Sequence, residues 1–453
     1  MMRNNTIKLF ATALPVVFLA MVSIGQQPVH VSLDEAVALA VQHNHQLKLK
    51  RLDVEISQKK MKESLAIGLP QVSGEATYNN YIDIPTQVAE ASAFDPTAPP
   101  GILVPLRFGL PHSMTAGINA SQLVFNASYL VALKAASEYV KASEYELEKT
   151  EIEIKTSVSQ TYFSIVAANK SIEALKENQV NMDKMAFESQ RMFEAGFMEQ
   201  QDAEQMQLLK SNTKNQLDYT IRQRDYLEDV LKMMVGMNIS DSIVLTDDLE
   251  SLLLKQTEGG GEILSARLQP DEHIDMISLR QGIRLQELAL ANERASNYPQ
   301  LNAFFTHSQN AFRKEFDFFN GGNWYPTTIW GFQLRVPIFK SLQGYQRISQ
   351  AKLELAKMQV QEDLLEKNLN VQVNQAKSNY KSALDRYELV EKDLELATRI
   401  KNTTRSKFNQ GLASSSDLTS AENQYLTTLS NYINTTLELL NAKLELNKAL
   451  GNN

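Results

Sequence analysis

Two aspartates have the strongest claim to a chemical role. Asp202 and Asp417 each stand six positions beyond a glycine, in FEAGFMEQQD and FNQGLASSSD. Phe193, Gly196 and Asp202 recur as Phe408, Gly411 and Asp417 at a constant displacement of 215 residues. A glycine at a helix end supplies the left-handed residue that turns the chain, and Asp is a favoured cap for the helix that follows. Each copy therefore reads as the tip of a helical hairpin, with Asp417 capping the return helix. The rest of the inventory is thin. No HExxH, GxSxG or P-loop pattern occurs, and the absence of cysteine removes disulfides, thiolate metal sites and a thiol nucleophile. His43 and His45 lie two apart on a helical pattern, where side chains do not share a face, and His273 and His307 have no ligand-like spacing. These residues predict no enzyme, no metal site and no cofactor.

The elements that must carry the tips are long helices. Proline is absent and glycine scarce from roughly 129 to 236 and again from 342 to 451, as uninterrupted helices require. Val158, Thr161, Ile165, Ala168, Ile172 and Leu175 are spaced four and three alternately, the seam of a coiled coil. A second seam runs through Val373, Ala376, Tyr380, Ala383, Tyr387, Val390, Leu394 and Ala397, in which Val373, Tyr380, Ala383, Tyr387 and Val390 fall 215 residues after Val158, Ile165, Ala168, Ile172 and Leu175. Tips and heptads share one register, which marks an internal duplication.

At the N-terminus, Arg3 and Lys8 precede an apolar run from Leu9 to Ile24, and small residues at Ser23 and Gly25 suit cleavage; residues 1–25 read as a signal peptide. Its removal takes the formal charge from −8 to −10, and an acidic exported chain is a poor binder of nucleic acid. No later stretch is a membrane helix. A bilayer would have to be crossed by strands.

In order, the first repeat (26–258) predicts a helix over about 33–66 capped by Ser32 and Glu35 and a strand over about 70–84. A long loop over 85–112 leads to a strand over about 113–125. A helix over 129–193, a return helix over 202–236 and a mixed segment complete the repeat. Residues 259–272, opening with three glycines, predict a flexible linker. The second repeat (273–453) predicts a helix over about 275–296, strands over about 299–313 and 327–339, a helix over 345–408 and a return helix over 417–450. In the last strand Trp330, Phe332, Leu334, Val336 and Ile338 alternate with Gly331, Gln333 and Arg335. The first set is expected to face lipid, and Gln333 and Arg335 a watery lumen; the same alternation also suits a sheet half-buried on a protein core. The shorter helices have lengths that would let them stack end to end with the return helices. Four strands cannot close a membrane barrel, which needs about eight or more, so several chains would have to share one.

This order of helix, strand, loop, strand, long helix, tip and return helix, run twice, resembles the TolC family of outer-membrane factors. The resemblance implies a mainly α fold with a transmembrane β part: duplicated coiled-coil hairpins forming an α-barrel, and four strands per chain in a shared trimeric twelve-stranded β-barrel. It implies an exit duct in the outer membrane with a long periplasmic extension, surrounded by outer-membrane lipid. Its partners would be a periplasmic adaptor (membrane fusion) protein and an inner-membrane efflux pump or ABC exporter. Phe193, Gly196, Phe408, Gly411 and Leu412 would form the adaptor-docking tips. Asp417, Asp202 and Ser420 would lie near the aperture, where a ring of carboxylates favours cations. Ser420 stands where some members carry a second aspartate, and Ala413 where some carry an arginine lock, so neither of those features transfers. A periplasmic adaptor would be expected to carry one hairpin between β-rich domains rather than two, and an exported coiled-coil structural protein would make no pore.

Overall fold

A computed structural model describes residues 29–257 and 260–452; the expected signal peptide lies outside them. The described chain begins with β1 (Val29–Val31), α1 (Leu33–His43) and α2 (His45–Ala66). The single helix expected over 33–66 is therefore two. Asn44 has an extended backbone, and its side chain accepts from the Gln46 and Leu47 N–H groups at 2.8 and 3.3 Å. Its amide also donates to the Met234 carbonyl at 2.8 Å. An Asn that satisfies neighbouring backbone groups competes with continuous helix. Ser32 and Glu35 form the expected reciprocal cap.

Four strands follow: β2 (Gln71–Asn80), β3 (Thr86–Glu90), β4 (Leu103–Arg107) and β5 (His112–Asn126). The segment expected to be a plain loop over 85–112 holds the antiparallel pair β3 and β4. α3 (Ala127–Glu194) and α4 (Gln200–Val235) make the first hairpin. β6 (Ile243–Leu245) then pairs in parallel with β1, and α5 (Leu249–Thr257) follows. α6 (Gly260–Ser265) occupies part of the expected linker, so Gly260 and Gly261 begin a short helix instead of a free tether; Gly259 lies outside the described residues. The second repeat comprises α7 (Ile274–Ala295), β7 (Gln300–Arg313), β8 (Tyr325–Arg335), α8 (Gln343–Asn409) and α9 (Ser415–Leu450). β8 stops at Arg335, so Val336 and Ile338 lie beyond the strand.

At ~1.5 Å per residue α3 and α8 each reach about 100 Å, whereas α4 and α9 cover only about half of that. The remaining length is covered by shorter helices. Gly236, which follows α4 with φ +74, abuts His43 at the end of α1; Gly451, which follows α9 with φ +79, abuts His273 at the start of α7. These two glycines again differ by 215. Around this middle level lies the main core: Val158, Tyr162, Phe163 and Ile165 of α3 packed with Val31, Leu47, Leu231, Leu252, Tyr380, Leu439 and Leu446. Tyr162 Oη lies 2.8 Å from Asp247 Oδ2, and burial raises its pKa. The same carboxylate oxygen accepts from the Leu33 N–H, so one aspartate ties the first helix to the segment between the repeats.

At the far end, β2, β5, β7 and β8 form one antiparallel sheet in that order, with β2 and β8 at its edges. Among the described residues, no helix is long and apolar enough to cross a membrane.

Candidate functional site

The two hairpin tips have the same backbone. After α3, the Gly196 N–H donates to the Phe193 carbonyl and the Phe197 N–H to the Met192 carbonyl; after α8, Gly411 and Leu412 donate to Phe408 and Lys407. This is the double closure that ends a helix on a left-handed residue. Gly196 and Gly411 have φ +77 and +73, and a Cβ at either would meet nothing within 4 Å. Conformation, not crowding, requires glycine there. The next residues project into solvent: Phe197 is 86% and Leu412 73% exposed. Phe197 is a tip residue that sequence reasoning passed over, although it lies 215 before Leu412.

The aspartates are placed differently from expectation. Asp417 does not cap α9; Ser414 does. Asp417 is the third helical residue of a capping box, its Oδ2 accepting from the Ser414 N–H at 3.0 Å and hydroxyl at 2.7 Å. The hydroxyl and backbone hydrogen bonds from Ser414 hold its carboxyl below the usual range. The Gly-to-Asp spacing suggests a cap at Asp417, but the serine run supplies an earlier one at Ser414. α4 has no side-chain cap, and Asp202 instead accepts a hydrogen bond from the Ser415 hydroxyl of the other hairpin. Ser420 is exposed, one turn beyond Asp417.

Beneath the tips, Met182, Met185, Met206, Leu209 and Leu418 form a second core in which Leu418 joins the hairpins, with Phe408 packed against it. Phe193 is half-buried. Further along, Glu422 is fully buried and accepts from Arg405 Nε and Nη2 at 3.2 and 2.5 Å. Lys401 Nζ sits 3.4 Å over the Tyr425 ring. Burial pushes the Lys401 pKa down and the Tyr425 pKa up. Nothing in the heptad pattern distinguishes this polar cluster from an exposed helix face.

In the sheet, register decides the faces. Trp330, Phe332 and Leu334 stand opposite Phe305, Ala303 and Leu301. Across β5 and β2 this face continues through Ile118 and Ala120 to Gly74 and Val72. Gln333 and Arg335 pair with Asn302 and Gln300 on the opposite face, with Thr306, Ser308, Asn119 and Glu75. Near the helices β5 loses its alternation, with Gln122 falling on the apolar side. A bulge between Leu123 and Phe125 then restores it by setting Phe125 opposite Leu301. Trp330, Phe332 and Leu334 are 73%, 64% and 62% exposed. Among the described residues nothing covers this face at Trp330, Phe332 and Leu334. His43 and His45 are not brought together with other ligating groups, and among the described residues no cluster of three or more His, Asp or Glu could hold a metal ion.

Two paired hairpins at one end and a two-faced sheet, bare at Trp330, Phe332 and Leu334, at the other suit a channel-type protein of the outer membrane. The chain belongs to the outer membrane efflux protein family, whose pattern matches residues 36–234 and 273–452. It is 23% identical over 194 residues to outer membrane protein TolC of Vibrio cholerae; the match takes in 39% of this chain and 43% of that protein's length. Its fold is similar to that of the Campylobacter jejuni CmeC outer membrane channel, with TM-score 0.69, 19% identity and coverage of 93% and 85% of the two chains. The open state of the Neisseria gonorrhoeae MtrE outer membrane channel superposes with TM-score 0.66 and 15% identity over 92% and 88%.

Proposed function

We propose that three copies of this chain form the exit duct of a tripartite efflux pump or type I secretion system, sharing a twelve-stranded barrel and a helical barrel. The observation that carries this reading is an unpaired apolar seam on α8 with matching seams elsewhere in the chain. Leu353, Val360, Leu364 and Val371, then Leu389, Leu396 and Ile400, are exposed at coiled-coil spacing. α2 exposes Leu49, Leu52 and Ile56, and α4 exposes Leu208, Tyr219 and Tyr226. α2 and α4 run opposite to α8, and the heights agree. Leu353 and Ile56 each lie ten residues from the sheet end of their helices, and Val360 and Leu49 seventeen. From the tip end, Ile400 and Leu208 lie nine and eight residues in, and Leu389 and Tyr219 twenty and nineteen. A second copy therefore fits with its α2 and α4 along this α8. The sheet agrees in polarity, because four alternating strands leave β8 antiparallel to the β2 of a neighbour.

The chain has no motor, so opening depends on an adaptor and an inner-membrane pump engaging the tips at Gly196, Phe197, Gly411 and Leu412. Asp417, Asp202 and Ser420 lie near the aperture, and the opening is a rearrangement of hairpins held closed by tip contacts. Two hairpins attached to one amphipathic sheet speak against a periplasmic adaptor. The test is the native mass of protein extracted in detergent from outer membranes, with single-channel conductance. A trimer that conducts is expected; a soluble monomer or dimer would overturn the reading. Leu389→Glu and Leu353→Glu together should reduce the trimer to smaller species.

A further inference from the structure

The segment joining β7 to β8, residues 314–324 (KEFDFFNGGNW), is folded tightly although it lies at the outer end of the sheet. Phe318 is only 3% exposed and Ala311 is fully buried. Arg313 anchors the segment. Its guanidinium donates to the Asn323 carbonyl at 3.1 Å and the Gly321 carbonyl at 3.5 Å. It also pairs with Asp317 at 3.2 Å and lies 5.8 Å over the Phe318 ring. Gly322, with φ +104, leaves room for that side chain, since a Cβ there would come within 2.5 Å of Arg313 Nη2. Tyr78 of β2 meets Phe316 and Phe318 edge-on, with centroids 5.2 and 5.8 Å away.

Register fixes which side of the sheet this cluster occupies. Tyr78 stands opposite Met114, and Met114 opposite Ala311. These positions alternate in phase with Val72, Ile118 and Phe305, so the segment crosses the outer end of β5 on the apolar face, the one bearing Trp330, Phe332 and Leu334. Arg313 lies twelve residues along β7 from Leu301, about 40 Å of strand. At a tilt of ~35–45° that is roughly 30 Å of height, just beyond the ~25 Å of a typical membrane band; on this face of β7 the apolar run Leu301, Ala303 and Phe305 gives way to His307 and Gln309 before Ala311. Phe316 and Phe319 nonetheless point outward, 58% and 78% exposed. Aromatic side chains at that level suit the boundary between acyl chains and head groups.

We propose that residues 314–324 fold over the lipid side of the barrel and set Phe316, Phe319 and Trp324 as an aromatic anchor in the outer leaflet, leaving the channel mouth clear of this segment. The proposal rests on the reading that the apolar face meets lipid, and the chain's only two tryptophans, Trp324 and Trp330, separate the two claims. Trp330→Phe leaves Trp324 as sole reporter, and Trp324→Phe leaves Trp330. Each full-length variant is reconstituted in phosphatidylcholine vesicles brominated either near the head group or deep in the acyl chain. Trp330 should be quenched more strongly by the deep bromine, and Trp324 at least twofold more strongly by the shallow one. Phe316→Ser with Phe319→Ser should raise quenching of Trp324 by aqueous iodide. If Trp330 is quenched by lipid while Trp324 responds only to iodide, the anchor is wrong and the face assignment stands. If neither is quenched by lipid, the face assignment fails and the anchor with it.

Discussion

The Ser415 hydroxyl of α9 donates to the Asp202 carboxylate of α4, joining the first turns of the two return helices. The duplicated positions have thus diverged. Asp417 closes a capping box within its own helix, whereas Asp202 spends its carboxylate on the neighbouring hairpin. Asp202→Ala and Ser415→Ala should each loosen the tip pair, and the double variant should be little worse than either. A double-mutant cycle on the unfolding of the tip is expected to give a coupling of ~0.5–3 kcal/mol. Strict additivity would show that the contact carries no energy.

Arg405, itself half-buried, pairs with Glu422, which is fully covered. Its Oε2 has no hydrogen-bond partner among the described residues, so Glu422 depends heavily on Arg405. Arg405→Met should cost ~3–5 kcal/mol by stranding the carboxylate, while Arg405→Met with Glu422→Leu should recover most of it. Chemical denaturation of the three proteins checks this; equal losses in single and double variants would contradict it.

The pH dependence of the second tip follows from Asp417. Its folded-state pKa is depressed, chiefly by the Ser414 hydroxyl and then by the Ser414 N–H. The stabilisation is therefore complete above the ordinary carboxylate range near ~4 and is lost as pH falls through the lower folded value. Hydrogen-exchange protection at residues 414–418 should drop in that acid window, and Ser414→Ala should flatten the transition.

Gly196 and Gly411 occupy left-handed backbone with open space around them. Gly196→Val with Gly411→Val should strain each tip by ~1–2 kcal/mol and misplace Phe197 and Leu412. Susceptibility of cells to a pump substrate is expected to rise. Unchanged susceptibility would remove the tips from the docking surface.

The two sheet faces predict opposite tolerances. Trp330→Arg should destabilise the membrane-inserted form by ~2–4 kcal/mol, whereas Gln333→Arg should be nearly neutral there. The heat-modifiability of each variant on gels separates them. Similar losses at both positions would mean that both faces are packed alike.

Much of this architecture is legible in the sequence because its signals are periodic and doubled. The 215-residue displacement links Phe193 to Phe408, Gly196 to Gly411 and Val158 to Val373 without reference to any structure, and the alternation from Trp330 to Arg335 separates two sets of residues that register keeps on opposite faces of the sheet. What escapes is local competition for backbone groups. Asn44 breaks an apolar pattern that otherwise runs on through Leu47, and Ser414 takes the cap expected of Asp417. Helix α6 begins inside a glycine run that propensity alone assigns to a tether. The Glu422 cluster escapes for a different reason, since its burial depends on how two hairpins meet.

The uncovered sheet also bears on the history of each molecule before assembly. A newly exported chain carries two open strand edges, an apolar face and a bare seam along a helix about 100 Å long, and any extended polypeptide it meets can pair with those edges. Its hazardous interval is the passage between export and partnering. Under the proposed three-chain assembly, escort by holding chaperones and the local abundance of sister chains would govern its yield as much as the stability of the finished fold does.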